Sequence, residues 1–486
     1  MTTRTSKQTP TTTGRMRLPE VEPLPPMSRQ ERVARGLAAR ERAPLASHGK
    51  WRPSKDRADT VSVLEHQARK RDPELVPLRY GRMSASAFAF FRGGAGVMAG
   101  DLATTRSSGL RAQLCGDAHL VNFGIFDTPE RAHVFDINDF DETLPGPWEW
   151  DVKRLAASVD VAGRDLGLSR PQRRAAVLAC AASYRTRMAE LAQLGNLEVW
   201  HARLDADQML KLLVGTADRK RSEHVERAIR KGLTRNHLTA FSKLIERDDG
   251  DVRFANRPPL LVPIDELLSD RARRRYVAVI REFLEQYRSS LPTSQRHLLD
   301  GYRFSHLARK VVGVGSVGTR SMVVLMIGLD EGDPLLLQLK EAKRSVLEPH
   351  CGPSEYRNRG QRVVEGQRLM QTASDPLLGW YRLRALDDRV HDFYVRQLWD
   401  GKASIDVSRL TADQLAKYAA VCGLVLARAH ARSGFRVSIA AYLGDTDEFD
   451  HAIADFADIY ADVTEQDHAS IVAAIERGQL VASHDE

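Results

Sequence analysis

The sequence predicts an α+β molecule of two lobes, with a small antiparallel-sheet lobe inserted between two largely helical parts. Three observations carry this. The chain has 486 residues, well past the ~300 at which a single hydrophobic core stops growing. Apolar residues recur at helical spacing over 151–247 and 412–431. From 309 onward the pattern changes to β-branched runs broken by glycines.

The N-terminus is rich in Thr and Arg without an apolar core, and Pro19, Pro23, Pro25 and Pro26 follow. Residues 1–50 are therefore expected to form a disordered tail. Short helices are expected over 59–70 and 84–91, the second ending at Arg92-Gly93-Gly94. Strands over 110–114 and 132–135 each end in polar residues. Helices follow over the 151–247 block and again over 265–291. Strands are expected at 310–314 and 321–328 around a glycine loop, a third at 334–340, and a fourth at 390–398 after a helix over 354–372. Beyond 406 the chain is helical, ending in acidic helices over 450–478. Residues 51–305 thus form a helical lobe, 306–402 a sheet lobe, and 403–486 helices that complete the first lobe.

Seventy-two basic residues against 64 acidic give a net charge of +8, with 42% hydrophobic and 28% charged residues. Such values exclude a collagen-like repeat, a wholly disordered chain and a membrane-embedded bundle. The most apolar runs, 321–328 and 421–429, fall short of the ~20 residues a membrane helix needs. Cys115, Cys180, Cys351 and Cys422 form no C-x-x-C pair, which fits a reducing cytoplasm and neither a disulfide scaffold nor a structural zinc site. The basic stretches 219–221 and 271–275 lack stacking aromatics, so no nucleic acid and no membrane is expected as a partner.

Two motifs carry chemistry. The first is Cys115-Gly116-Asp117-Ala118-His119-Leu120-Val121-Asn122, followed by Asp136-Ile137-Asn138-Asp139-Phe140-Asp141-Glu142. An Asp five positions before an Asn, with a further Asp after a short hairpin, is the spacing of a phosphoryl-transfer loop. One carboxylate orients the acceptor hydroxyl and receives its proton, while oxygen ligands hold Mg²⁺ against phosphates. Asp117 suits the first role, with His119 beside it. Asn122 and Asp136 suit the second, with Asp139 or Asp141 nearby. Asp136 is the first choice because it ends the apolar strand, although any one of these carboxylates alone is more often a solvated turn.

The second motif, Gly313-Val314-Gly315-Ser316-Val317-Gly318, is followed by a strand rather than a helix. It therefore reads as a hairpin tip and not as a dinucleotide fingerprint. A glycine flap of this kind lets backbone N–H groups approach phosphate oxygens. Lys340 ends the next strand where it would meet phosphate, with Lys343 as the alternative. Glu365 or Glu341 would pair with that lysine, and Gln397 within 395–398 would belong to a hinge meeting the adenine.

The first motif resembles the H-G-D-x-H-x-x-N loop of the aminoglycoside and choline phosphotransferases, members of a protein-kinase-like superfamily. Cys115 replaces the first His; Gly116, Asp117, His119 and Asn122 match. The resemblance implies a protein-kinase-like two-lobed fold using ATP and Mg²⁺ to phosphorylate a hydroxyl of a small-molecule or protein acceptor. The order of the parts is inverted, loop before flap, which implies circular permutation. Residues 424–430 resemble the helix that in phosphotransferases runs into the catalytic loop. Residues 150–156 resemble the helix after the metal-binding Asp, with Asp151 capping the loop. From about Lys55 onward the chain also resembles an uncharacterised bacterial family, domain of unknown function 2252, through Phe91-Arg92-Gly93, 115–124 and 135–142. Two other classes stay open: a metal-dependent hydrolase using Asp117, His119, His133 and the downstream carboxylates, and a non-catalytic nucleotide-binding protein.

Overall fold

Helical periodicity in the sequence becomes four long helices, Glu149–Asp165, Arg170–Gln193, Ala412–Ser433 and Glu448–Glu476, packed around one core. The structure is a computed structural model describing residues 27–214, 237–248, 251–311, 313–315, 317–384, 388–398 and 403–483. The helix Glu149–Asp165 is buried over nearly all its length, so its charged residues need partners in the interior. Asp160 accepts from Arg164 Nε at 2.9 Å and Arg173 Nε at 3.2 Å. At one end of this core two antiparallel pairs carry the polar loops. Strand β1 (Arg111–Leu114) pairs with β4 (Leu144–Pro147), and β2 (Phe123–Asp127) pairs with β3 (His133–Ile137). The numbering follows chain order.

The other lobe is a six-stranded antiparallel sheet beside a small hairpin of β5 (Ile245–Asp248) and β6 (Asp251–Phe254). Its strands are β7 (Leu261–Pro263), β8 (Arg303–Lys310), β9 (Ser321–Ile327), β10 (Pro334–Ala342), β11 (Gly379–Arg384) and β12 (Val390–Gln397), in the spatial order β11-β12-β10-β9-β8-β7. Both faces are covered. Successive side chains alternate across a strand, so Val324, Met326, Leu335, Leu337 and Leu339 pack against Phe283 and Tyr287 of the helix Asp270–Ser289. Val323, Leu325, Ile327 and Leu336 pack on Phe254 and Leu244. By the same alternation Lys340 shares the face of Leu336 and Gln338.

The fold is thus α+β, mostly helical with a six-stranded antiparallel sheet. Three expectations need correction. Residues 27–50 are not a tail: Arg29–Arg42 is a helix, Leu45–Gly49 a 3-10 turn, and Ala39, Leu45 and His48 are buried. Arg40 donates to the carbonyls of Tyr442 and Ala441, each at 2.6 Å, and this docking overrides the polar composition. The strand expected at 310–314 lies earlier, at Arg303–Lys310, because the glycines begin the turn directly after it. The sheet lobe begins well before residue 306, since Ile264, Phe283, Tyr287 and Leu299 belong to its core. Among the described residues no helix is long and apolar enough to cross a membrane, and all four cysteines are free.

Candidate functional site

A cleft of about 1250 Å³ lies between the lobes, bordered by the 115–122 loop, the 138–142 run and the glycine turn. Such a volume exceeds that of a pocket for one drug-sized ligand. The first loop is held from below. Asp151 accepts from the N–H groups of Cys115 at 2.8 Å and Gly116 at 3.1 Å, and contacts His430 Nε2 at 3.2 Å. Gly116 has φ +81°, and a Cβ there would lie 2.4 Å from the Glu142 carbonyl oxygen. Only glycine lets the loop pass this close to the acidic run.

Asn122 ties the two loops together. Its Nδ2 donates to the carbonyls of Asp117 at 3.1 Å and Asp139 at 3.0 Å, and its Oδ1 accepts from the Asp139 N–H at 2.8 Å. Asp117 Oδ1 accepts from Arg154 Nε at 2.7 Å. Asp117 Oδ2 faces His119 Nε2 at 3.8 Å. Burial drives the His119 pKa down to about 4, and Arg92 and Arg154 add to the drop against the pull of Asp117, so the ring is neutral at pH 7.

The sheet meets the acidic run directly. Lys340 Nζ lies 2.7 Å from Asp141 Oδ2 and 3.3 Å from Asp139 Oδ2, and Tyr394 of β12 donates to Asp141 Oδ1 at 2.6 Å. Burial opposes the ammonium, but the two carboxylates outweigh it and hold the Lys340 pKa above the ordinary lysine value. Burial likewise opposes the Asp139 charge, yet Lys340 and Arg396 hold its carboxyl down to about 2.

The glycine turn between β8 and β9 borders the same cleft through Gly313, Val314 and Gly315. Gly313 and Gly318 have φ of +66° and +79°, a backbone region that favours glycine. The turn is pinned to the helical lobe: Arg71 donates to the carbonyls of Gly315 at 2.8 Å and Val317, and the Asp72 N–H donates to the Gly318 carbonyl at 2.7 Å. Ser316 lies outside the described residues.

Asp117, His119, Asn122, Asp139, Gly313 and Gly315 therefore share one cleft, with Lys340 beneath it. Gly318 does not border the cleft, its carbonyl being held by the Asp72 N–H, and three further expected site residues do not join them either. Asp136 is fully buried: it accepts from the Ile137 N–H at 2.8 Å, from Thr372 N–H and Oγ1 at 2.9 and 3.1 Å, and from Arg428. Its oxygens are spent inside the helical lobe, so Asp139 and Asp141 are the carboxylates that reach the cleft. Glu365 pairs with Arg368 at 3.3 Å, because the helix Arg359–Met370 turns Arg362 toward the loops instead, donating to the carbonyls of Thr143 at 2.6 Å and Asp141 at 2.7 Å. Gln397 does not border the cleft; its N–H donates to Asp375 and the Leu398 N–H to the Leu336 carbonyl at 2.9 Å, so these two backbone donors of the expected hinge are taken. Lys343 donates to the Lys70 carbonyl, and Glu341 contacts His391 at 2.9 Å.

Residues given no role of their own in the sequence reading also border the cleft, among them Arg71, Arg92 and Glu142, together with Arg396 of the expected hinge. Among the described residues ten Lys and Arg and five Asp and Glu side chains line it, an excess of positive charge that suits a polyanionic ligand. Among the described residues no group of three or more His, Cys, Asp and Glu is placed to hold a metal by itself. The Asp139 carboxylate and Asn122 Oδ1 are oxygen donors at the cleft that could share a cation with a bound anion.

Burial raises the Glu142 carboxyl to about 7, although Arg362 and the Val346 N–H act against it. A raised carboxyl stabilises the fold most below its unfolded value near 4.5, and the contribution is lost as pH rises through 7. Glu142→Gln is therefore expected to match wild type in urea unfolding near pH 5 and to exceed it by about 1–2 kcal/mol at pH 8. A difference that does not change with pH would show that Glu142 titrates normally.

Residues 71–474 match the family model described as an uncharacterized protein conserved in bacteria, DUF2252. The chain belongs to this family. The matched span contains the cleft-bordering loops, the glycine turn and the whole six-stranded sheet, while the helix Arg29–Arg42 lies before it. Searches of curated proteins and of solved structures each found no match.

Proposed function

We propose that the chain is an ATP- and Mg²⁺-dependent phosphotransferase with a protein-kinase-like, circularly permuted arrangement, acting on a hydroxyl of a small-molecule or protein acceptor. The observation that carries this reading is the ion pairing of Lys340, from the sheet, with Asp139 and Asp141, from the loop after β3, beneath a cleft shared with the glycine turn and Asp117. Permutation is supported where the helix Ala412–Ser433 ends. Ser433 Oγ accepts from the Gln113 N–H at 3.2 Å, and a Cβ on Gly434 would lie 3.1 Å from the Arg111 carbonyl oxygen. That helix thus stops beside the strand leading into the catalytic loop.

Asp117 Oδ2, left open by Arg154, orients the acceptor hydroxyl and takes its proton. Neutral His119 lies beside it without adding charge. The residues fit Mg²⁺ as a cation shared with phosphate, held by Asp139 and Asn122, and Mg²⁺ would neutralise phosphate charge there. Lys340 keeps Asp139 ionised. The cationic lining receives the phosphates, and the occupied 395–398 backbone leaves base recognition to other groups of the cleft. One observation favours a second reading, a non-catalytic nucleotide binder: the Arg154 ion pair occupies Asp117 Oδ1 and leaves a single carboxylate oxygen to meet an acceptor. The hydrolase has less support, since His133 sits on Asp127 at the far end of the β2–β3 hairpin.

Calorimetric titration with ATP at several Mg²⁺ concentrations tests this. Wild type is expected to bind in a Mg²⁺-dependent manner, and Asp139→Asn to lose that dependence. Asp117→Asn is expected to bind while turnover falls about a hundredfold or more. Binding that ignores Mg²⁺ in every variant, or no ATP binding at all, would overturn the reading; binding without any turnover in wild type would leave the non-catalytic alternative.

A further inference from the structure

The motif Phe91-Arg92-Gly93 has no part in the reading above, and Arg92 differs from the other cations around Asp117 and the glycine turn. Arg154 is spent on Asp117, Arg71 on the Gly315 and Val317 carbonyls, Lys340 on Asp139 and Asp141, and Lys343 on the Lys70 carbonyl. Arg92 borders the cleft, yet its Nε is buried with no hydrogen-bond partner, and no described carboxylate lies within 4.0 Å of its guanidinium. Burial pushes its pKa down, and the nearby Asp117 charge offsets only part of this.

Its position is fixed from both sides. Arg92 lies in the last turn of the helix Ala87–Gly93. Its carbonyl oxygen lies 3.6 Å from where a Cβ on Gly315 would be, so the residue sits between the glycine turn and the catalytic loop. A desolvated guanidinium without a carboxylate partner is costly until an anion meets it, and its planar fork matches two oxygens of a phosphate.

We propose that Arg92 is the anion-binding side chain of this cleft, receiving the terminal phosphate of the phosphoryl donor between Asp117 and the glycine turn. The identity of the donor rests on the phosphotransferase reading; the need for an anion rests on the surroundings of Arg92 alone. With the phosphate in place, Arg92 would counter charge on the transferred group while Asp117 faces the acceptor.

The test is calorimetric titration of the full chain with inorganic tripolyphosphate, which offers the oxyanions without base or sugar. Wild type is expected to bind it, Arg92→Gln to bind at least about tenfold more weakly, and Arg92→Lys to fall between the two. Arg288→Gln, which removes an exposed arginine paired with Asp300 outside the cleft, is expected to bind as wild type does. Circular-dichroism melts accompany each titration, with both Arg92 variants expected within a few degrees of wild type. Equal binding by wild type and Arg92→Gln overturns the proposal, as does a loss of binding that appears only together with a loss of fold. Failure of the phosphotransferase reading looks different: tripolyphosphate would still bind through Arg92 while ATP with Mg²⁺ shows no turnover. No tripolyphosphate binding by wild type overturns both.

Discussion

Asp136→Ala is expected to destabilise the protein by about 3–5 kcal/mol, enough to remove much of the stability of an ordinary domain. Asp136 is fully buried, and Arg428 opposite it is 2% exposed. Both Asp136 oxygens accept hydrogen bonds, and Arg428 Nη1 already lacks a partner. Removing the carboxylate would therefore leave an uncompensated guanidinium inside the helix Ala412–Ser433. Replacing both partners by apolar residues of similar volume avoids that penalty, so Asp136→Ala with Arg428→Met should recover most of the loss. Urea unfolding of the two single variants and the double variant measures the coupling. If Asp136→Ala unfolds like wild type and loses nucleotide binding, Asp136 is a ligand residue after all.

That residue also shows where sequence reading stops. The helices at Thr60–Ala68 and Ala412–Ser433 and the strands β9, β10 and β12 were legible because period 3.6 and period 2 are local patterns. The convergence of Asp117, His119, Asn122 and Asp139 was legible because their spacing is local too. The choice of Asp136 over Asp139 was not, since its partner Arg428 lies 292 positions away in the chain. Glu365 fails for the same reason: helical phase shows which residues share a face, while only packing decides that Arg362's face meets the loops. Two signals were present and not used, the first because composition outweighed it. Ser28-x-x-Glu31 is a capping box that opens the helix Arg29–Arg42, with both reciprocal hydrogen bonds formed. Tyr381-Arg382-Leu383-Arg384 alternates as β11 requires, and Tyr381 stacks edge-on against Phe283 at 4.8 Å between ring centroids. Phe91-Arg92-Gly93 stood out as a motif, but nothing local gave Arg92 a role, because the missing partner of a cation is visible only in three dimensions.

Lys340→Met is expected to cost about 2–3 kcal/mol and to abolish Mg²⁺-dependent nucleotide binding. The Lys340 side chain is 2% exposed, while those of Asp139 and Asp141 are 39% and 31% exposed. Breaking the pair leaves two carboxylates that water can partly solvate, so the loss falls below that of a fully buried pair. It should also depend on pH. The Asp139 carboxyl, held down to about 2 in the fold, contributes stability above its unfolded value near 3.8 and loses it as pH falls toward 2. The gap between wild type and Lys340→Met in urea unfolding is therefore expected to be widest near pH 7 and to close as pH falls below 4. Lys343→Met provides the comparison, because Lys343 Nζ donates to the Lys70 carbonyl and lies 3.7 Å from Glu341 rather than on the acidic run. If Lys343→Met loses nucleotide binding while a folded Lys340→Met retains it, the lysine that matters lies at the other wall of the cleft. The Lys340 pair would then be a device that holds the two lobes together, and the catalytic reading of the acidic run would fall with it.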